Sequence, residues 1–369
     1  MPWSLATVKE QREEFVQLAR QPQANISELC RRFGISRKTG YKWLGREDLE
    51  DRSRRPQTSP RRTLAEQESQ VVAMRAAHPA WGARKIAHVL ARDHGIEMAT
   101  STAHSVLKRH GLISAEASRA ARPWQRFEHE APNALWQMDF KGHIPMARGR
   151  CHPLTVLDDH SRFNLVLQAL DNERRADVQQ ALQAAFERYG LPDRINADNG
   201  APWGTSTEAL TGLGVWLIRL GVQLGHSRPL HPQTNGKDER FHRTLNEEVL
   251  CRRLFSDLDH AQQAFDVWRH AYNHYRPHEA IGMGTPAQRY QASPRAMPGV
   301  LPTIGYDMGE IVRKVNSCGF ISYKNRRMRV GKALMGQHVA LRRRPGCNDV
   351  FDVYFGPHRL KTRTLVQNQ

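Results

Sequence analysis

Three acidic residues occupy positions where a carboxylate suits chemistry better than folding. Asp139 interrupts an otherwise apolar strand pattern, Asp198 ends a second strand, and Glu239 lies in the opening turn of a helix just after Asn235 and Gly236. A free carboxylate is costly to bury without a counterion. Hard divalent cations such as Mg2+ take oxygen ligands, and a pair of them roughly 3.5 to 4 Å apart can sharpen a nucleophilic oxygen and relieve charge at phosphorus. The candidate chemistry is therefore metal-assisted phosphoryl transfer, with Asp139, Asp198 and Glu239 as ligands. The chain has 37 acidic residues, so a D, D, E triplet alone decides nothing, and the surrounding residues must.

The elements that would carry these carboxylates are legible from periodicity. Segments 135–140, 154–158 and 164–170 read as strands, followed by a helix at about 174–189 with Val178, Leu182, Ala185, Phe186 and Tyr189 on its buried side. A strand over 194–198, a helix within 206–221, a short strand at 222–224 and long helices near 236–254 and 259–275 complete an α/β domain. Its expected extent is 134–292.

Ahead of it, residues 1–46 read as a helix-turn-helix. Val8, Phe15, Val16 and Ala19 stripe a first helix, 27–33 form a second that Gly34 ends, and Ser36 caps a third over 37–44. That third helix would offer Arg37, Lys38 and Lys42 to DNA. Residues 47–63 lose their apolar content and gain Arg, Pro, Ser and Thr, as a basic linker does. A second helix-turn-helix-like unit is expected over 64–118, its core made by Ile86, Val89, Leu90, Ile96, Val106 and Leu107, with Arg84 and Lys85 as DNA contacts. A connector follows at 119–133.

The tail, 304–366, has short alternating strands near 311–315, 319–323, 327–330, 338–342 and 349–354. They predict a small all-β, barrel-like domain with a basic surface.

Composition narrows the partner. The 369 residues carry a formal charge of +18, which favours a polyanion. No window holds the roughly 20 apolar residues that a membrane span needs, and Glu10 arrives too early for a secretory signal. A cytoplasmic protein acting at the nucleoid is expected. Cys30, Cys151, Cys251, Cys318 and Cys347 are scattered, so neither a disulfide framework nor a zinc knot is indicated.

Four ordered blocks settle the choice: WQMD at 136–139, ADNG at 197–200 followed by Pro202 and Trp203, HPQTNGKDERFHRTL at 231–245, and YNHYRPH at 272–278. Together they resemble the catalytic core of bacterial insertion-sequence transposases related to retroviral integrase, in the IS481-like and IS3-related group. The resemblance extends to the helix-turn-helix front and the β-rich tail. It implies an RNase H-like fold, a mixed sheet with flanking helices, in which Asp139, Asp198 and Glu239 hold Mg2+, for which Mn2+ can stand in. It also implies strand cleavage at element ends, transfer of 3′ hydroxyls into target DNA, double-stranded DNA as partner, and a dimer or tetramer on it. The spacing of 40 residues between Asp198 and Glu239 exceeds the family's usual one by a few, the excess falling in the loop around 204–211. Asp238 is a rival to Glu239.

His231, Lys237, Arg240 and Arg243 are expected to meet phosphates near the cut. Asp158 and Asp159 fit either a support for the metal site or a strand-end turn. The competing functions are a DNA-binding regulator without catalysis and a nuclease of the same fold that never joins strands.

Overall fold

The computed structural model describes residues 7–51, 62–113, 128–198, 202–204, 210–226, 236–347 and 350–364. The chain divides into two compact units, Met1–Arg62 and Thr63–Gln369.

The first unit is built on α1 (Val8–Ala19), α2 (Ile26–Arg32) and α3 (Arg37–Leu44). Each starts at a side-chain cap: Thr7 in a capping box with Glu10, Asn25, and Ser36, which accepts from the Thr39 amide at 3.1 Å. Such a cap contributes about 1 kcal/mol. Phe15, Val16, Cys30 and Trp43 form the core. Helix α3 comes so close that a Cβ on Gly40 would lie 2.6 Å from Cys30 Sγ, so only glycine fits there. Trp43 is buried and Tyr41 exposed, which leaves Arg37, Lys38 and Lys42 on the open face.

The second unit begins with α4 (Ala65–Ala77), α5 (Ala83–His94) and α6 (Thr100–Arg109). Val71, Trp81, Ile86, Val89, Leu90, Val106 and Leu107 make their core. Gly95, at φ 65°, ends α5 in the left-handed conformation that glycine adopts without strain.

The central mixed sheet contains β1 (Trp136–Phe140), β2 (Ile144–Pro145), β3 (Arg150–Asp158), β4 (Asn164–Leu170), β5 (Arg194–Ala197) and β6 (Gln223–His226). Its order is β2-β3-β1-β5-β6, with β4 also on β3. The first strands pair antiparallel, whereas β1–β5 and β5–β6 are parallel. One face packs Trp136, Met138, Leu154 and Val156 against α7 (Arg175–Tyr189) and α8 (Gly212–Arg219). The other packs Cys151, Leu157 and Leu167 against α9 (Gly236–Glu248) and α10 (Leu258–His274). A short α11 (Pro286–Arg289) follows. Because side chains alternate along a strand, Trp136 and Met138 face α7, while Gln137 and Asp139 face α9.

The tail differs from the barrel-like domain that its alternation predicted. Strands β7 (Ile311–Lys314), β10 (His338–Arg343), β11 (Val350–Phe355) and β12 (His358–Thr364) form an open antiparallel sheet in the order β12-β11-β10-β7. Strands β8 (Phe320–Tyr323) and β9 (Arg326–Arg329) pair only with each other. A barrel requires pairing all the way round, and among the described residues β7 and β12 remain edges. The apolar face is covered instead by Ile321 and Met328 of the hairpin and by Val215 and Ile218 of α8. One-sided burial gives the same alternating sequence whether a sheet closes or is capped by a helix, so the pattern alone did not separate the two.

No helix among the described residues is long and apolar enough to cross a membrane.

Candidate active site

Parallel pairing of β1 with β5 builds the site. Met138 stands beside Ala197 in that register, so the next residues along the two strands are Asp139 and Asp198. Burial, and next the charge of Asp198, push the Asp139 carboxyl up to about 7. The Phe140 amide donates to Asp139 Oδ1 at 2.8 Å, which partly offsets that rise.

Helix α9 faces this pair. Its side chains Phe241 and Leu245, with Val249 just past its end, lie in the core between the sheet and α10, and this packing turns Asp238 and His242, four residues apart, toward β1 and β3. Asp238 is 3% exposed. Burial and the charges of Asp139, Asp159 and Asp198 hold it well above the usual carboxylate range, and its Oδ1 has no hydrogen-bond partner. Glu239, the next residue, is exposed. The charges of Asp139 and Asp198 thus act on Asp238, which the structure brings to this group, whereas Glu239 follows it in the chain on the exposed side of the helix. Among the described residues, no three acidic, histidine or cysteine side chains are already disposed around a metal position.

His242 is pushed down to about 4, chiefly by burial, and is therefore neutral at pH 7. Its Nε2 lies 2.8 Å from Thr155 Oγ1, which donates to the Asp139 carbonyl at 3.0 Å. The threonine has one hydroxyl proton, so Nε2–H is the donor to Thr155 and Nδ1 carries the lone pair. That Nδ1 is 3.8 Å from Asp139 Oδ2.

The two other acids of the region are fully engaged. Asp158 accepts from the amides of Asn133 and Ser161 at 2.7 and 2.8 Å and from Ser161 Oγ at 2.6 Å. Asp159 accepts from the His129 amide at 2.9 Å and from Gln137 Nε2 at 2.7 Å, and it forms an ion pair with Lys237.

The remaining expected DNA contacts are placed variously. Arg240 and Arg243 are exposed on α9. Arg84 is exposed and 3.4 Å from Glu279. Lys85 is only 6% exposed, pushed down to about 8 by burial and by Arg276. Helices α4–α6 dock there on the core, with His78 and Trp81 near the Tyr275 ring and Arg92 over it at 4.9 Å. Arg276 is buried against Glu248. His231 and Asn199 lie outside the described residues.

Sequence reasoning passed over His242, Thr155 and Gln137, and weighed Asp159 only as a support for the metal site or a strand-end turn. The i, i+4 spacing of Asp238 and His242 was the available signal for one of them. Thr155 enters only because it lies opposite Asp139 in the β1–β3 register, which no spacing reveals.

Comparison with known proteins agrees along the chain. The integrase core domain matches residues 129–232 and 220–286. A helix-turn-helix domain matches 11–57 and a homeodomain-like domain 39–107. The C-terminal domain of IS481 family transposases matches 310–364. An uncharacterized 31.7 kDa protein of insertion element IS407 from Burkholderia multivorans is 30% identical, over 43% of this chain and 55% of that protein. An uncharacterized 39.2 kDa protein of insertion element IS476 from Xanthomonas euvesicatoria is 30% identical, over 45% of this chain and 48% of that protein. The chain thus spans about half the length of these curated relatives. Among solved structures, the HTLV-2 integrase catalytic core domain in complex with magnesium is 19% identical with a TM-score of 0.34, covering 43% of this chain and 97% of that one, a likeness too loose to argue from. In its integrase core, its helix-turn-helix modules and its tail, the chain is thus similar to IS481-like transposases and integrases.

Proposed function

We propose that this protein is a DNA transposase that cuts strands at the ends of a mobile element and transfers the freed 3′ hydroxyls into target DNA, working as a dimer or tetramer at the bacterial nucleoid. The observation that carries this reading is the adjacent placement of Asp139 and Asp198 at the ends of β1 and β5, beside the acidic first turn of α9, in a chain of this family.

Asp139, Asp198 and Glu239 would hold divalent cations, Mg2+ by preference and Mn2+ as a substitute. The donor set fits: the oxygens are hard, and the strongest charge acting on Asp139 is another carboxylate, a repulsion that a cation relieves. Bound there, the ions supply charge relief at phosphorus and a more reactive nucleophilic oxygen. Glu239 is the better third ligand because it fills the position of the family's motif and is exposed, whereas Asp238 is buried. Arg240 and Arg243, exposed on the same helix, would hold the strand's phosphates in line with the attacking oxygen.

Water attacks a phosphodiester at the element end, and the released 3′ hydroxyl then attacks a phosphodiester of the target. One such bond is exchanged for another, so the joining step needs no ATP and no covalent protein intermediate. The exposed Arg37, Lys38 and Lys42 of α3, together with α4–α6, would recognise the element ends, with phosphate contacts supplying affinity.

Purified protein, Mg2+ and duplexes carrying the flanking genomic repeats test this directly. The expected products are nicks at the repeat ends and, from a precut 3′ end, joined strands. Binding without cleavage would replace the reading by a regulator, and cleavage without joining by a nuclease.

A further inference from the structure

Helix α9 is tied to the sheet by two chains of side chains. Near its start, Lys237 pairs with Asp159, and its Nζ also lies 3.4 Å from the Asp159 carbonyl. Asp159 is in turn bound to Gln137 of β1 at 2.7 Å. One turn later, His242 binds Thr155 of β3 at 2.8 Å, and Thr155 binds the Asp139 carbonyl of β1 at 3.0 Å. Gln137, Thr155, Asp159 and His242 are all buried. The two chains end on the Gln137 side chain and on the Asp139 backbone carbonyl of β1, and their α9 ends, Lys237 and His242, bracket Asp238 and Glu239. Apolar packing of Phe241 and Leu245 buries one side of the helix, but non-directional contacts tolerate sliding along its axis. Directional hydrogen bonds at two heights do not.

We infer that Lys237 and His242 are positioning residues, whose links through Asp159–Gln137 and Thr155–Asp139 set the separation between Asp139 and the acidic first turn of α9, and hence the affinity of the site for divalent cations. This rests on the proposed metal site, and it assigns Lys237 a role that does not require DNA. Partners that orient metal ligands typically change affinity by 10- to 100-fold when removed.

The test is Mn2+ binding to the full chain without DNA, followed by electron paramagnetic resonance, with thermal unfolding in EDTA as the check on folding. Lys237→Met and His242→Leu should each weaken Mn2+ binding by about tenfold or more. Lys237→Arg and His242→Gln, which keep a donor, should stay within about threefold of wild type. Thr155→Val removes the hydroxyl relay without touching α9 and keeps the side-chain shape, so it should match His242→Leu even where the leucine variant unfolds. Wild-type Mn2+ affinity in folded Lys237→Met and Thr155→Val would overturn the inference. Failure of the wild type to bind Mn2+, or unchanged binding in Asp139→Asn, would instead remove the metal site itself.

Discussion

Two pairs of aspartates lie within the same core and have opposite surroundings. Asp158 and Asp159, at the end of β3, are met by backbone amides, a hydroxyl, a carboxamide and an ammonium. Asp139, at the end of β1, is raised first by burial and next by the charge of Asp198 beside it, with, among the described residues, only the Phe140 amide donating to its Oδ1. The first pair has been provided with donors by the fold, and removing them leaves those donors stranded. Asp139 is held well above the usual carboxylate range, a perturbation typical of carboxylates at functional sites. Residue type and position on a strand end do not separate these roles. The neighbours do.

The largest effect expected is on catalysis. Asp139→Asn or Asp198→Asn should lower cleavage and joining by on the order of a thousandfold, since the charge proposed to hold the cations is lost, while binding to end-sequence DNA persists. The metal-free stability should respond in the opposite sense. A carboxyl raised to about 7 in the folded state and near 3.9 when unfolded binds its proton more tightly when folded. Its contribution is therefore fully present below about pH 4 and is lost as pH rises toward about 7. In EDTA, wild type should lose on the order of 1–2 kcal/mol across that window, after allowance for a side chain that is 26% exposed. Asp139→Asn should flatten the slope, and an unchanged slope would mean that Asp139 is not the strained member of the pair.

Next in size is the choice of third ligand. Glu239→Gln should reduce cleavage by on the order of a hundredfold or more, whereas Asp238→Asn should stay within about tenfold. The reverse ranking in a cleavage assay would transfer the role to Asp238 and make Glu239 a surface residue.

The smallest effect on activity concerns the satisfied pair, whose loss falls on stability instead. Asp158→Asn places an amide group against the Asn133 and Ser161 amides and should cost about 2–3 kcal/mol in urea unfolding, with activity per folded molecule little changed. Loss of activity without loss of stability would erase the contrast between the two pairs.

Much of this protein was readable before any fold was known. The strands bearing Asp139 and Asp198, the helix bearing Glu239, the caps at Asn25 and Ser36 in the front module, and the core of α4–α6 all follow from short-range patterns, because capping and amphipathicity act within a few residues. The four motif blocks identified the family for the same reason: each is a local string. Lys85 shows where local reading ends. A lysine beside an exposed arginine looks like a DNA contact, yet Lys85 is 6% exposed, with Arg276 and Glu279, far away in the chain, among its charged neighbours.

The amino-acid order alone therefore determined which elements form, which carboxylates are candidates, and a charge that favours a polyanionic partner. Tertiary structure decided which acids are neutralised, that Thr155 falls opposite Asp139, that His242 and Lys237 tie α9 to the sheet, and that α8 caps the tail sheet instead of the sheet closing on itself. Those outcomes depend on the registers of strands and the docking of helices far apart in the chain. The free energies involved belong to pairs of distant residues, and no window along the sequence contains both members.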